Sequence, residues 1–278
     1  MACPLSILIP SRNERANIRA CIESARFAGE VVVVDSGSTD GTREIAAELG
    51  ATVVDFAWNG SYPKKKNWAL ANVPWRHEWV FILDADERIT PELAAELART
   101  VSAPGAEGYY VNRRFWFMGD WLRHCGYYPS WNLRLFRHGL GRYEQPAGRA
   151  DTGSGDNEVH EHVILNGRTG RLSNAMNHFA YPTLEVWVEK HNRYSNWEAR
   201  RTDASAAARI DPALRRKRQL KDLAARLPFR PSLRFAYHYV IRAGFLDGYR
   251  GYVFCRLLAF YEFLSVAKAR ELGRTGRG

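Results

Sequence analysis

The sequence predicts an α/β protein: a mostly parallel sheet flanked by helices, with a helical, basic and aromatic C-terminal extension. Three observations predict it. In about the first 90 residues, short apolar runs alternate with helical periodicity in the order β-α-β-α-β-α-β, which implies right-handed crossovers between parallel strands. One run, Val31 to Val34, is wholly β-branched, as suits a strand covered on both faces. Charge is segregated: residues 209–278 hold 16 Lys and Arg against 5 Asp and Glu, a net of +11, whereas the first 208 come to −1.

Leu5 to Ile9 reads as the first buried strand, closed by Pro10. A helix follows from Asn13, a plausible N-cap, to Arg26; Ile18, Cys21, Ile22 and Ala25 share one face, and Gly29 ends it. Val31 to Val34 leads into Asp35-Ser36-Gly37-Ser38-Thr39-Asp40-Gly41-Thr42, then a helix from about Thr42 to Leu49, stopped by Gly50. Thr52-Val53-Val54 is a third strand. A loop with Lys64-Lys65-Lys66 and a short helix near Asn67 to Asn72 come next. Trp79 to Leu83 is the fourth strand. Farther on, Gly108 to Phe117 reads as a strand, Asn132 to Arg137 alternates like a half-buried one, and Leu184 to Arg201 reads as a helix.

The fourth strand ends in Asp84-Ala85-Asp86. Ligands bind beyond the carboxyl ends of strands in open α/β sheets, and two carboxylates there call for a cation such as a hydrated divalent metal. The alternative is a solvated strand-to-turn corner. After Asp35, small hydroxyl-bearing residues and glycine let backbone N–H groups approach a nucleotide or phosphate; an ordinary capped turn has the same composition. Gly119 to Ser130 carries aromatics with Arg123, His124 and Cys125, a binding platform or core. In Asn157 to Val163, alternation puts Glu158, His160 and His162 on one side and Val159, Glu161 and Val163 on the other. Glu161 among valines suits a base of raised pKa, His160 with His162 suits a metal, and an edge strand needs neither.

Ile7 to Glu14, Val33 to Thr42 and Leu83 to Asp86, in that order and spacing, resemble the family 2 glycosyltransferases of GT-A (Rossmann-like) fold. The resemblance implies inverting transfer from a nucleoside-diphosphate sugar, with bound Mg2+ or Mn2+. By matching position, Pro10, Ser11, Asn13, Glu14, Asp35 and Ser36 would hold the base and ribose, and Lys66 the diphosphate. Asp84 would contact ribose or metal, and Asp86 would ligate metal. The Arg134 to Arg137 segment, Val159-His160-Glu161 and His178 look like the lipopolysaccharide-core β-1,4-glucosyltransferase subgroup. That likeness implies glucose from UDP-glucose, Glu161 as acceptor-side base with Asp156 and Glu158 as rivals, and His178 as a third metal ligand. It also implies a lipid-linked or lipopolysaccharide saccharide acceptor, and a place at the cytoplasmic face of the inner membrane. The expected organisation is a catalytic domain over 1–208 (nucleotide-sugar half 1–100, acceptor half 101–208) and a membrane-associating extension over 209–278.

The totals exclude several alternatives. The 278 residues, 46% hydrophobic, suffice for a large core with an appendage. Four scattered cysteines without a CxxC argue against a zinc site or disulfide framework. The N-terminus does not read as a signal peptide, because Arg12, Glu14 and Arg15 follow its short apolar run; no run approaches the roughly 18 residues of a membrane span. From Phe229 to Ala269 aromatics alternate with arginines, a pattern suited to a membrane surface, while no base-reading motif points to nucleic acid. A nucleotidyltransferase would carry a glycine-rich basic loop after the first strand, which Pro10 to Glu14 is not. A catalytically dead nucleotide-binding membrane module would not need the acidic pair.

Overall fold

The computed structural model describes residues 2–145, 156, 162–200 and 229–275, with the backbone alone at 197, 200, 274 and 275. It contains two compact units, Met1–Phe115 with Pro129–Ala180, and Trp116–Tyr128 with Tyr181–Gly278.

The first unit is built on one twisted mixed sheet. Its strands are β1 (Cys3–Ser11), β2 (Ala28–Asp35), β3 (Thr52–Asp55), β4 (Trp79–Ile82), β5 (Glu87–Arg88), β6 (Gly108–Phe117), β8 (Trp131–Arg137) and β11 (Thr169–His178). They lie in the order β3-β2-β1-β4-β8-β6-β11-β5. The β3-β2-β1-β4 part is parallel, as is β6 with β11; β8 and β5 run antiparallel to their neighbours. Strand alternation sorts the core. Ile7, Ile9, Val33 and Phe81 face one way, with α1 (Arg15–Ala25) and α4 (Pro91–Ser102) packed there. Leu8, Val32, Val34, Val80 and Ile82 face the other, with Ala69 and Leu70 of α3 (Lys65–Asn72). Between β2 and β3 lies α2 (Thr42–Glu48), and β9 (Gly141–Tyr143) forms a separate hairpin with β10 (Val163–Leu165).

Four local expectations change. Strand β1 does not stop at Pro10 but runs to Ser11. Leu8 O accepts from Leu83 N on the β4 side, and Ser11 O from Ser36 N on the β2 side. By alternation Pro10 faces the β4 side, where that ladder has already ended at Leu8, so its missing N–H loses no bond. Helix α1 begins at Arg15 with Glu14 at the N-cap; Asn13 sits in the left-handed region (φ 55°) and bonds elsewhere. Gly29 does not end α1 but lies within β2, where a Cβ would stand 2.4 Å from His77 Nε2 and 2.9 Å from Cys3 O. Lys64 to Lys66 do not lie in a loop ahead of the helix: Lys64 is the N-cap of α3, Lys65 and Lys66 form its first turn, and all three are buried.

The second unit pairs β7 (Asp120–Trp121) with the end of β6 and adds α5 (Leu184–Arg200), α6 (Arg230–Ala236) and α7 (Gly248–Thr275). Phe254 packs edge-on against Phe117 and Tyr127 at 5.1 and 4.7 Å. His191 stacks on Trp187 at 3.5 Å, and burial lowers its pKa to about 4. Among the described residues, no helix is long and apolar enough to cross a membrane. The expected boundary at 208/209, and Glu158, His160 and Glu161, lie outside the described residues.

Candidate active site

The carboxyl ends of the parallel strands meet at one edge. Register sets Ser11 beside Asp35 and Asp35 beside Asp55, and β4 delivers Asp84 next to β1. Two motifs interlock there. Asn13 N donates to Ser38 Oγ (2.8 Å) and Thr39 N to Asn13 Oδ1 (2.9 Å). Glu14 N donates to Thr42 Oγ1 (2.8 Å) and Arg15 N to Asp40 Oδ2 (2.9 Å). The slight burial of Asp40 opposes ionisation, but the Thr42 hydroxyl and the surrounding N–H groups hold its carboxyl below the usual range. The left-handed turn at Asn13 aims its backbone N–H and its side chain at this second loop.

Asp35 is fully buried and accepts from Ser38 N (2.8 Å) and Ser11 Oγ (3.1 Å). It lines a cavity of about 460 Å³ together with Arg12, Ser36, Phe56, Trp58 and Asp156. Aromatic walls beside a carboxylate suit a flat ring with a polar edge. Lys65 Nζ donates to Ser11 O (2.7 Å) and pairs with Asp156 at 3.0 Å. Burial lowers the Lys65 ammonium against the pull of Asp156; Lys65 in turn outweighs burial and lowers Asp156.

At the β4 corner, the sequence called for an external cation beside the acidic pair. For Asp84 the chain supplies two of its own. Lys66 Nζ lies 2.9 Å from Asp84 Oδ1, and Arg134 Nη2 lies 2.7 Å from Oδ2. Burial works to raise the Asp84 carboxyl, but Arg134 and then Lys66 hold it well below the usual carboxylate range. Arg134 also reaches Glu87 Oε1 at 2.8 Å, and Arg113 reaches the same oxygen at 3.4 Å; the other Glu87 oxygen accepts from Asp84 N. Lys66 lies 5.2 Å over the Tyr143 ring.

Asp86 stands apart from that cluster. Strand β11 pairs antiparallel with β5, setting His178 opposite Glu87, and Phe179 N donates to Asp86 O (2.8 Å). His178 Nε2 thereby comes 3.6 Å from Asp86 Oδ1, with both side chains partly exposed. A carboxylate oxygen and an imidazole nitrogen open to solvent fit Mg2+ or Mn2+, which keeps several water or phosphate ligands. Among the described residues, no three His, Cys, Asp or Glu side chains converge as a complete ligand set. Pro10, Ser11, Asn13, Glu14, Asp35, Ser36, Lys66, Asp84, Asp86 and His178 thus all belong to the first unit, most of them at the carboxyl edge of its sheet.

Arg134, Glu87, Arg113 and Lys65 were not singled out as site residues from the sequence. For Arg134 a signal existed: alternation in β8 puts it on the same side as Phe136, an odd place for a cation without a buried partner.

The model for Glycosyl transferase family 2 matches residues 6–155, more than half of the chain. The chain belongs to glycosyl transferase family 2. This family 2 glycosyltransferase is 31% identical to the lipopolysaccharide core biosynthesis glycosyltransferase LpsC of Rhizobium meliloti (strain 1021), over 95% of this chain and 91% of that protein. It is 26% identical to an uncharacterised glycosyltransferase of Rickettsia typhi (strain ATCC VR-144 / Wilmington), over 98% and 89%. Among solved structures, S. aureus TarS 1-349 is similar over 100% of this chain and 91% of that one, at 15% identity and a TM-score of 0.44. Glucosyl-3-phosphoglycerate synthase from Mycobacterium tuberculosis, in complex with Mn2+, UDP and glucosyl-3-phosphoglycerate, is similar over 40% and 44%, at 25% identity and a TM-score of 0.32. Both structural likenesses are loose. The expected GT-A class, a sheet flanked by helices, is met in the strand order itself.

Proposed function

We propose that the chain is an inverting, metal-dependent hexosyltransferase at the cytoplasmic face of the inner membrane. It passes a sugar, glucose from UDP-glucose in the first instance, to a lipid-borne saccharide such as the lipopolysaccharide core. The observation that carries this reading is the 31% identity with LpsC along 95% of the chain.

Glycosyl transfer develops positive charge at the anomeric carbon and negative charge on the departing diphosphate. Mg2+ or Mn2+ held by Asp86 and His178 supplies positive charge to that diphosphate when bound. The chain's own residues do the rest. The cavity beside Asp35, with Phe56 and Trp58, takes the nucleoside. Lys66 offers a second positive charge beside Asp84, and Arg134 keeps Asp84 ionised and in place. A carboxylate takes the proton of the acceptor hydroxyl. Glu161 is assigned that role, with Glu158 as rival; Asp156 is disfavoured because Lys65 holds its carboxyl low.

A thermal-shift screen of UDP, GDP, dTDP and CMP, each with and without Mn2+, tests the reading. A ligand at a hundred times its dissociation constant stabilises the fold by about 2.7 kcal/mol. UDP stabilising only with Mn2+ is the expected outcome. If neither the nucleotides nor Mn2+ shift the transition, the donor site is misassigned.

A further inference from the structure

In the second unit the chain makes a tight corner between α6 and α7. It runs through a wide π-type turn at Tyr237–Ile241, a left-handed residue at Ala243 (φ 53°) and a 3-10 turn at Gly244–Asp247. The corner is pinned from behind. Cys125 N donates to Arg242 O (3.1 Å), His238 Nδ1 bonds Cys125 O (2.8 Å), and Asp247 accepts from the backbone N–H groups of Arg123 and His124. Gly244 is buried so closely that a Cβ would stand 2.9 Å from the sulfurs of Cys125 and Cys255. The backbone therefore fixes which side chains point away from the unit.

Those side chains are apolar. Val240 is 58% exposed, Ile241 72%, Leu246 61% and Tyr249 73%, with Tyr237 and Phe245 at 49% each. Scattered exposed apolar residues are ordinary, but six within thirteen consecutive residues form a patch. The charges along this stretch are almost all positive. Between Phe229 and Tyr261 the only acid is Asp247, whose side chain is turned inward to His124 at 3.0 Å. Arg230 and Arg234 are paired with the buried Glu262, and Arg250 with Asp120. Arg242 and Arg256 are exposed. An apolar and aromatic knob bordered by arginines, with the half-exposed Asp120 held in a pair with Arg250, complements a surface that is apolar below and anionic at its face. A second copy of this chain fits poorly, since a symmetric contact would set the exposed Arg242 and Arg256 against the same arginines of the other copy.

We infer that the corner at 237–249 is a shallow wedge that inserts into a bilayer rich in anionic headgroups. It reaches about 5–10 Å into the interface without spanning it. The inference stands on this surface alone and does not need the sugar-transfer reading, although such a wedge would keep the enzyme beside a lipid-borne acceptor. The test is co-sedimentation of the full chain with vesicles of phosphatidylcholine alone and of phosphatidylcholine with phosphatidylglycerol. Binding is expected to the anionic vesicles and weaker at high salt. The double variant Ile241→Asp/Leu246→Asp is expected to weaken it by about tenfold or more, and Arg242→Glu by several-fold. The double variant should melt within about 2 °C of the parent, because Ile241 and Leu246 are 72% and 61% exposed. Failure to bind anionic vesicles, or equal binding by the double variant, overturns the inference. So does a doubled mass in light scattering that the double variant abolishes, because the patch is then a contact between copies. Success or failure of the nucleotide screen leaves each of these outcomes unchanged.

Discussion

Arg134→Met removes the cation that ties the β4 corner together. Arg134 is buried and bridges Asp84 (2.7 Å) and Glu87 (2.8 Å), so the variant strands two carboxylates in place of one guanidinium. Deleting one partner of a buried ion pair typically costs about 3–5 kcal/mol. The lower end applies here: Asp84 keeps Lys66 and is partly exposed, and Glu87 keeps Arg113. About 3 kcal/mol in a chain of this size lowers Tm by roughly 6–12 °C. The sign of the pH dependence follows from Asp84. Its folded pKa lies well below the unfolded value, so its contribution is fully present above about pH 4 and is lost as pH falls through the folded value. Without Arg134 that depression shrinks. The Tm gap between parent and variant should therefore be full at pH 7 and narrow below about pH 4. Scanning fluorimetry from pH 3 to 8 reads both quantities. Arg134→Met/Glu87→Gln should recover part of the loss, since it removes the charge left most deeply buried. A Tm within about 2 °C of the parent at pH 7, or a gap that does not change with pH, would refute the claim that Arg134 neutralises this corner.

Three further outcomes are expected. Asp86→Ala should abolish transfer and the Mn2+-dependent part of nucleotide stabilisation while leaving Tm within about 2 °C, as its side chain is partly exposed; retained turnover removes it from the metal site. Glu161→Gln should keep the UDP/Mn2+ thermal shift and lose turnover by about 100-fold or more; the same pattern from Glu158→Gln instead moves the base to that residue. Gly251→Ala should destabilise by about 3 kcal/mol or more in chemical denaturation, because the added Cβ would stand 2.0 Å from Gly244 O, a main-chain atom that cannot swing aside; a loss below about 1 kcal/mol would show that α7 can shift locally.

Much of this protein was determined locally. Apolar runs of four or five residues ending in Asp35 and Asp84 specify buried parallel strands, because only a sheet covered on both faces makes wholly apolar segments stable. Sequence alone therefore sets the β1 to β4 order, the helices α1 to α3 and the edge at which the acidic residues emerge. What it left open depends on partners far along the chain. Strand β11 is too mixed in polarity to be read from its own residues, yet its pairing with β5 is what carries His178 to Asp86, 92 positions away. Lys64 to Lys66 read as part of a loop until Asp84 and Asp156 arrive to neutralise two of them inside the protein. Arg134 likewise becomes intelligible only once β8 lies beside β4. Apolar burial follows from pattern, because any covered face will satisfy a valine. A buried charge needs one particular partner, and only the tertiary structure decides which residue that is.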